Sequence, residues 1–459
     1  MNNVVKLKPC PLGLPINEML ELIIAEDFAG AIELVRKYIP YPGITGCMCK
    51  SPCSRGIANN IPMISEFEHF LYEYELENIG YRSWEPDISS KSKYKVAIVG
   101  AGPAGIFAAF ELLRSGHKVT IYDRLERPGG MLNLAILPSR LPRHILFSEL
   151  DILNKLGADF QMLTTVAKGA KFNLRDIRKR YDAVFLAFGA QKVRRVNLPG
   201  IDTDNVISVI ELFERLKNRD RFPLVKNAIV LGDGNDAVSA AIAMAKLKKS
   251  VGLMHLKKLD NMTADRKNIA EAINSGVEFL FKHMPLRILS QNGQIKTIET
   301  ERLSPETDGN EKFQHEGGHI YEIDAELLVL ANGRYPYTKK VFGDDIKTTK
   351  HNFIQIDKNY STGIDGIYAG GECVNSSSGY IYAATSGKNA AKNINAFLKG
   401  NKNEESIDKI IVKNHQRKIN LSESKTFIKV KTAKQAIKYA KMILDIQNLG
   451  HHDEIILID

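Results

Sequence analysis

Two glycine-rich fingerprints, about 130 residues apart, restrict this chain to a small set of folds. The first reads Val96-Ala-Ile-Val-Gly100-Ala-Gly102-Pro103-Ala104-Gly105 and is followed by a helical stretch and then Lys118-Val-Thr-Ile-Tyr-Asp123. The second reads Ala228-Ile-Val-Leu-Gly232-Asp-Gly234-Asn235-Asp236-Ala237, followed by Val251-Gly-Leu-Met-His-Leu256. A single G-x-G-x-x-G match is a weak signal. Here each match sits between a short apolar run and a helical pattern, with a second apolar run beyond. That order is needed when a strand enters a tight turn and the following helix N-terminus faces a pyrophosphate. Asp123 lies about 20 residues beyond the first fingerprint, where a carboxylate accepts hydrogen bonds from a ribose diol. The pattern implies two α/β domains, each built to hold a dinucleotide.

With 459 residues and 44% apolar content, the chain has room for about three domains with formed cores. No run of about 18 uncharged apolar residues occurs, so no segment reads as membrane-spanning. The stretch Met1-Asn-Asn-Val-Val-Lys-Leu-Lys-Pro-Cys10 lacks the apolar core of a secretory leader, and the expected location is cytoplasmic. Of five cysteines, four (Cys10, Cys47, Cys49 and Cys53) fall in the first 53 residues. In a reducing compartment such clustering favours metal over disulfides. The net charge of +10 is dispersed, and no basic–aromatic recognition motif accompanies it. Nucleic acid is therefore not expected as a partner. The excess reads as a solvated face or as steering for an acidic protein.

Residues 1–93 read as a small helical domain. Helices are expected from Ile16 to Ala25, from Phe28 to Tyr38 and from Met63 to Leu76, with Pro40, Pro42 and Gly43 ending the helical stretch before a Cys47–Cys53 loop. A polar linker, 85–93, follows. The first dinucleotide domain spans 94–220 and 334–400, closing on Asp182–Ala187 and Gly189. The second is inserted at 221–333 and closes on Leu327–Gly333. Residues 401–459 form an extension with an expected helix from Thr432 to Gln447 and a strand from Glu454 to Ile458.

Several further markers appear in order: Cys10-Pro11, Cys49-Lys-Ser-Pro-Cys53, Pro128-Gly-Gly-Met-Leu132, Ser139-Arg-Leu-Pro142, Leu198-Pro-Gly200, Gly276-Val-Glu-Phe279 and Ala369-Gly-Gly-Glu372. Together they resemble the glutamate synthase small (beta) subunit family. Its relatives include the flavin subunit of NADH-dependent ferredoxin:NADP oxidoreductase and the N-terminal half of dihydropyrimidine dehydrogenase. The resemblance covers about residues 8–400 and implies two Rossmann-like, glutathione-reductase-like domains preceded by a helical iron–sulfur domain. It implies FAD in the first site and NADPH or NADH in the second.

Gly100, Gly102 and Gly105, with Pro103 and Ala104 opening the helix, are the expected pyrophosphate cradle of FAD, and Asp123 and Arg124 follow at the ribose end. The resemblance adds Gly130, Met131, Leu132, Arg140, Val166, Ala187, Gly189, Gly371, Glu372, Gly379, Tyr380 and Ile381 around the flavin. Glu372 stands where the family has aspartate. In the second site the expected contacts are Gly232, Gly234, Asn235, Asp236, His255 and Gly333. Lys257 and Lys258 stand where the family carries cations for a 2′-phosphate, and no acidic residue ends that strand, which favours NADPH over NADH.

The family commonly opens with C-x2-C-x3-C-P, but only Cys10 of those cysteines is present, and a cysteine just after Cys53 is also absent. The resemblance therefore implies at most one 4Fe–4S cluster, held by Cys10, Cys49 and Cys53 with Cys47 or Glu68 as fourth ligand. The other reading is a structural remnant with free thiols. No redox-active C-x-x-C follows either nucleotide turn, which disfavours disulfide reduction.

The expected function is electron transfer from NAD(P)H through FAD and the cluster to an acidic ferredoxin or a larger catalytic subunit, in a hetero-oligomer. A stand-alone ferredoxin–NADP reductase and a non-catalytic flavin-bound scaffold are the alternatives.

Overall fold

The computed structural model describes residues 9–49, 62–80, 86–194, 196–218, 225–256, 259–305, 313–375, 379–400 and 429–448. Four helices come first: α1 (Ile16–Ile24), α2 (Phe28–Tyr38), α3 (Pro42–Met48) and α4 (Ile64–Tyr74), the last continued by one π-turn, Glu75–Ile79. In α1, Ile16, Met19, Leu20 and Ile23 repeat at three- and four-residue intervals and are buried together. Asp27 caps α2, its carboxylate accepting the Gly30 N–H at 2.9 Å. The prolines do not end helical structure ahead of Cys47. Pro42 opens α3, where its missing N–H costs nothing, so Cys47 lies inside a helix and Cys49 at its C-cap. Cys53 lies outside the described residues.

These helices share one apolar core with the first nucleotide domain, running from Leu20, Ile23 and Phe67 through Ile98 and Phe107 to Ala390 and Ile394. A buried ionic knot crosses that junction. The Arg36 guanidinium donates through Nε to Glu75 Oε2 at 2.8 Å and through Nη1 to Glu149 Oε1 at 3.2 Å. Glu149 Oε2 also accepts the Gly43 N–H at 2.9 Å.

The first domain runs β1 (Lys95–Val99), α5 (Pro103–Arg114), β2 (Lys118–Tyr122), α6 (Met131–Leu134), α7 (Arg143–Lys155), β3 (Asp159–Gln161), α8 (Leu174–Arg180) and β4 (Ala183–Leu186). The chain leaves through β5 (Lys192–Val193). The second domain then runs β6 (Val206–Ser208), α9 (Val209–Asn218), β7 (Asn227–Leu231), α10 (Asn235–Lys246), β8 (Ser250–His255), α11 (Arg266–Asn274) and β9 (Glu278–Phe281). It continues with β10 (His283–Gln291), β11 (Gln294–Pro305), β12 (Phe313–Asp324) and β13 (Leu327–Leu330). The return passes β14 (Arg334–Tyr335), α12 (Thr338–Phe342), β15 (Ile367–Ala369) and α13 (Tyr380–Leu398), and α14 (Ala433–Asn448) packs on α1.

Both nucleotide sheets are wholly parallel and have the same plan, β15-β4-β1-β2-β3 in the first and β6-β13-β7-β8-β9 in the second. Each glycine turn leaves the C-terminal end of the central strand, at the point where strand order reverses. The second sheet takes β6 from residues ahead of the boundary expected at 220, so that sheet begins earlier than composition suggests. An antiparallel meander, β10-β11-β12, is added to it. The two crossings between domains pair as an antiparallel ribbon, Val193 with Arg334 and Lys192 with Tyr335. No described helix is long and apolar enough to cross a membrane. The strand expected at 454–458 lies outside the described residues.

Candidate functional site

The two turns are built alike. Gly100 has φ +111° and Gly232 φ +154°, and a Cβ on either would collide with the carbonyl oxygen ending the neighbouring strand, Ala187 in one case and Ala331 in the other. Only glycine permits both the conformation and the close approach. In the first site the turn is clamped by Asp123, whose Oδ2 accepts the Ala101 N–H at 2.7 Å and whose Oδ1 accepts the Leu125 N–H at 2.8 Å. Burial pushes this carboxyl up, against the pull of the two amides. Asp123 is thus a backbone clamp first, and each oxygen keeps a lone pair for a ribose hydroxyl.

The Pro128–Leu132 loop closes the cradle. Gly129 N–H donates to the Ala101 carbonyl at 2.8 Å, and a Cβ on Gly130 would lie 2.8 Å from Gly102 Cα. A Cβ on Gly102 would meet nothing nearer than Gly130 Cα at 4.0 Å. The turn is therefore open where a pyrophosphate approaches and filled everywhere else, with Pro103 and Ala104 at the start of α5. These residues fit FAD. Gly379 caps α13, whose Tyr380 meets Phe107 of α5 edge-on with ring centroids 6.2 Å apart, and Gly387 of α13 sits against Ala104. Ala187 and Val166 are buried, Gly189 takes φ +73°, and α6 starts with Met131 and Leu132. Tyr380 shares its hydroxyl with Thr45 of α3 at 2.8 Å.

Three expected contacts are turned elsewhere. Arg124 donates to Gln191 at 2.7 Å and Glu214 at 2.6 Å. Arg140 faces Asp265 of the second domain at 3.4 Å, with neighbouring Ser139 donating to Glu271 at 2.9 Å. Glu372 is held by Arg334, Nη1 to Oε2 at 2.7 Å and Nη2 to Oε1 at 3.1 Å.

In the second site, loop 263–268 folds over the turn: Thr263 and Ala264 N–H donate to the Asp233 carbonyl at 3.1 and 3.0 Å. Asn235 Oδ1 accepts the Asp265 N–H and the Asn268 amide, both at 2.9 Å. Thr263 Oγ1 would lie 3.6 Å from a Cβ on Gly234, so the turn stays open beside a hydroxyl. Asp236 accepts Arg334 Nε at 2.6 Å. Arg334 was not among the residues expected from the sequence, and only the Gly333 turn before it, with φ +95°, marked its place. His255 is buried edge-on to Phe281, ring centroids 5.2 Å apart, which makes it a core residue of this sheet. Lys257 and Lys258 lie outside the described residues.

Near the N-terminal cysteines, Cys10 and Cys49 are buried and Cys47 is half-buried. Burial, with Glu66 and Glu73 nearby, pushes the Cys47 thiol up to about 12. Glu68 is 2% exposed, its Oε2 accepts no hydrogen bond among the described residues, and burial pushes its carboxyl up to about 8. Tyr380 lies within electrostatic reach of both Cys49 and Glu68. Among the described residues no three His, Cys, Asp or Glu side chains form a metal set. Cys373 is a core residue whose Sγ contacts the Gly370 carbonyl at 3.1 Å.

The model of the pyridine nucleotide-disulphide oxidoreductase family matches residues 94–396. The beta subunit of the NADP(+)-dependent formate dehydrogenase of Moorella thermoacetica is 28% identical over 425 residues, 86% of this chain and 60% of that protein. The beta subunit of the NADPH-Fe(3+) oxidoreductase of Geobacter sulfurreducens is 28% identical over 341 residues, 71% of this chain and 50% of that protein. The NADPH glutamate synthase small chain of Escherichia coli is 27% identical over 426 residues, 85% of this chain and 87% of that protein. The chain thus spans 60% of the length of the first and half of the second. Among solved structures, Mycobacterium tuberculosis FprA in complex with NADPH matches with a TM-score of 0.56 and 17% identity, over 78% of this chain and 91% of that one. The thioredoxin reductase of T. acidophilum matches with a TM-score of 0.50 and 16% identity, over 67% of this chain and 99% of that one. These two likenesses are likenesses of fold.

Proposed function

The chain belongs to the pyridine nucleotide-disulphide oxidoreductase family and is similar to the glutamate synthase small chain, and on that premise we propose that it is an FAD-dependent NAD(P)H oxidoreductase. The observation that carries the reading is the pair of matching glycine turns, Gly100 against Ala187 and Gly232 against Ala331, joined in one chain by a single ribbon. FAD, when bound in the first cradle, would supply a two-electron acceptor for a nicotinamide and a means of releasing electrons singly. The chain's own part is positioning. The start of α5 presents its amides to a pyrophosphate, Asp123 holds the turn and receives a ribose, and the start of α13 brings a second helix N-terminus to the cradle.

NADPH is the proposed donor, read by Lys257 and Lys258. One 4Fe–4S cluster is proposed on Cys10, Cys49 and Cys53. Cys47 or Glu68 is proposed as fourth ligand, and the buried Glu68 carboxylate with an oxygen unpaired among the described residues supports Glu68. The acceptor is proposed to be a larger catalytic subunit in a hetero-oligomer, since similar chains are named as subunits. A free acidic ferredoxin is the rival acceptor.

The test is anaerobic titration of the purified protein. NADPH should bleach one bound flavin per chain, and iron analysis should find about four irons, lost in Cys49→Ser. A flavin that NADPH leaves oxidised would reduce the protein to a scaffold, and an iron count near zero would remove the cluster alone.

A further inference from the structure

The Arg334 fork joins three elements that the two sheets by themselves leave separate. It donates to Asp236 in the first turn of α10, to the Ala190 carbonyl at 2.7 Å beyond β4, and bidentately to Glu372 beyond β15. Asp236 belongs to the nicotinamide domain, while Ala190 and Glu372 belong to the flavin domain. Arg334 itself lies on the ribbon through which the chain crosses between them, beside the Arg194 N–H donation to the Gly333 carbonyl at 3.0 Å. Burial alone would lower its pKa, but Asp236 and Glu372 outweigh that and hold it charged. Arg140–Asp265 and Ser139–Glu271 make a second set of contacts between the domains.

Asp236 also poses an electrostatic problem. A carboxylate in the first turn of α10 repels the pyrophosphate that the same helix N-terminus is built to attract. The guanidinium at 2.6 Å neutralises it. A lysine would supply the charge without the planar fork needed to hold two carboxylates and a carbonyl at once.

We propose that Arg334 is the positioning residue that fixes the nicotinamide domain against the flavin domain and screens Asp236 from the dinucleotide phosphates. The inference rests on the functional reading above. It makes Arg334 a determinant of hydride-transfer geometry without contact to either reacting ring.

The experiment compares wild type with Arg334→Met, Arg334→Lys and Arg334→Met/Asp236→Asn as full-length holoproteins. Flavin content is measured first, then amide hydrogen exchange along 190–194 and 333–336, then the limiting rate and apparent Kd of flavin bleaching by NADPH. Arg334→Met should keep its flavin, exchange the ribbon amides faster, and lose about tenfold to a hundredfold in limiting rate, because small misplacements of a reacting pair cost that much. Its apparent Kd should also rise. The double variant should recover the Kd but not the rate, and Arg334→Lys should fall between. Unchanged ribbon exchange and an unchanged limiting rate in Arg334→Met would overturn the proposal, as would recovery of the rate in the double variant. If wild type itself holds flavin that NADPH does not bleach, the functional reading fails. The exchange comparison then still decides whether Arg334 fixes the domains.

Discussion

The two nucleotide domains repeat one plan in sheet order and in the collision that makes each first glycine necessary, yet they are anchored in opposite ways. The first is continuous with the N-terminal helices through a shared apolar core and the buried Arg36–Glu75–Glu149 knot. The second has a core mostly of its own, which takes in Leu134 and Ala135 from the end of α6, and otherwise meets the rest through the ribbon, Arg334 and a few partly exposed pairs such as Lys267–Glu66. A cofactor held permanently is served by a cradle that is part of the main core. A nicotinamide that must come and go is served by a unit joined through a ribbon, a small apolar seam and ionic contacts. One fingerprint thus supports two duties, and the difference lies in what surrounds it.

That contrast can be broken most severely at Arg36. Arg36→Met takes the guanidinium away from two buried glutamates, and removing one partner of a buried pair costs roughly 3–5 kcal/mol. Thermal unfolding should fall steeply and flavin should be lost with the first domain. A melting temperature near that of wild type would show that the helical region is not integral to the cradle. The glycine turns come next. Gly100→Ala and Gly232→Ala should each cost about 3 kcal/mol locally, since each adds a Cβ against backbone at positive φ. Measured flavin content should collapse only in Gly100→Ala, while NADPH binding disappears in Gly232→Ala with flavin retained. Equal flavin loss in both would make the two domains one cooperative unit.

A smaller effect is expected at Lys257. Loss of a charged hydrogen bond to a 2′-phosphate costs about 1.5–3 kcal/mol, so Lys257→Ala should raise the Michaelis constant for NADPH by roughly tenfold or more. The constant for NADH should stay put, and parallel changes in both would show that this lysine does not read the phosphate. The smallest effect belongs to Lys267, 43% exposed and 3.4 Å from Glu66. Lys267→Ala should change stability by no more than about 1 kcal/mol, fading with salt. A larger loss, insensitive to salt, would mean the second domain is held as firmly as the first.

Much of this was legible along the chain. Helices α1, α2 and α4, both strand–turn–helix units and the tail helix near Thr432–Gln447 all follow from periodicity and glycine placement. Pro42 was misleading because proline stops a helix in its interior but starts one at its first position, and only the path after Tyr38 decides which applies. The second sheet's early start at Val206 was hidden because a three-residue strand carries too little pattern to assign it to either sheet.

The amino-acid sequence by itself determined what is local. A glycine at positive φ, an apolar strand and a helix start specify each turn within about ten residues, because backbone sterics and side-chain period act over that range. Only the tertiary structure decided the destinations of the long charged side chains. Arg334 reaches Asp236, 98 positions away, and Glu372, 38 away, while Arg140 turns to Asp265. No local rule ranks such partners. A guanidinium on a flexible stem takes whichever carboxylates the packed domains present within its reach, and that geometry exists only after both sheets have formed.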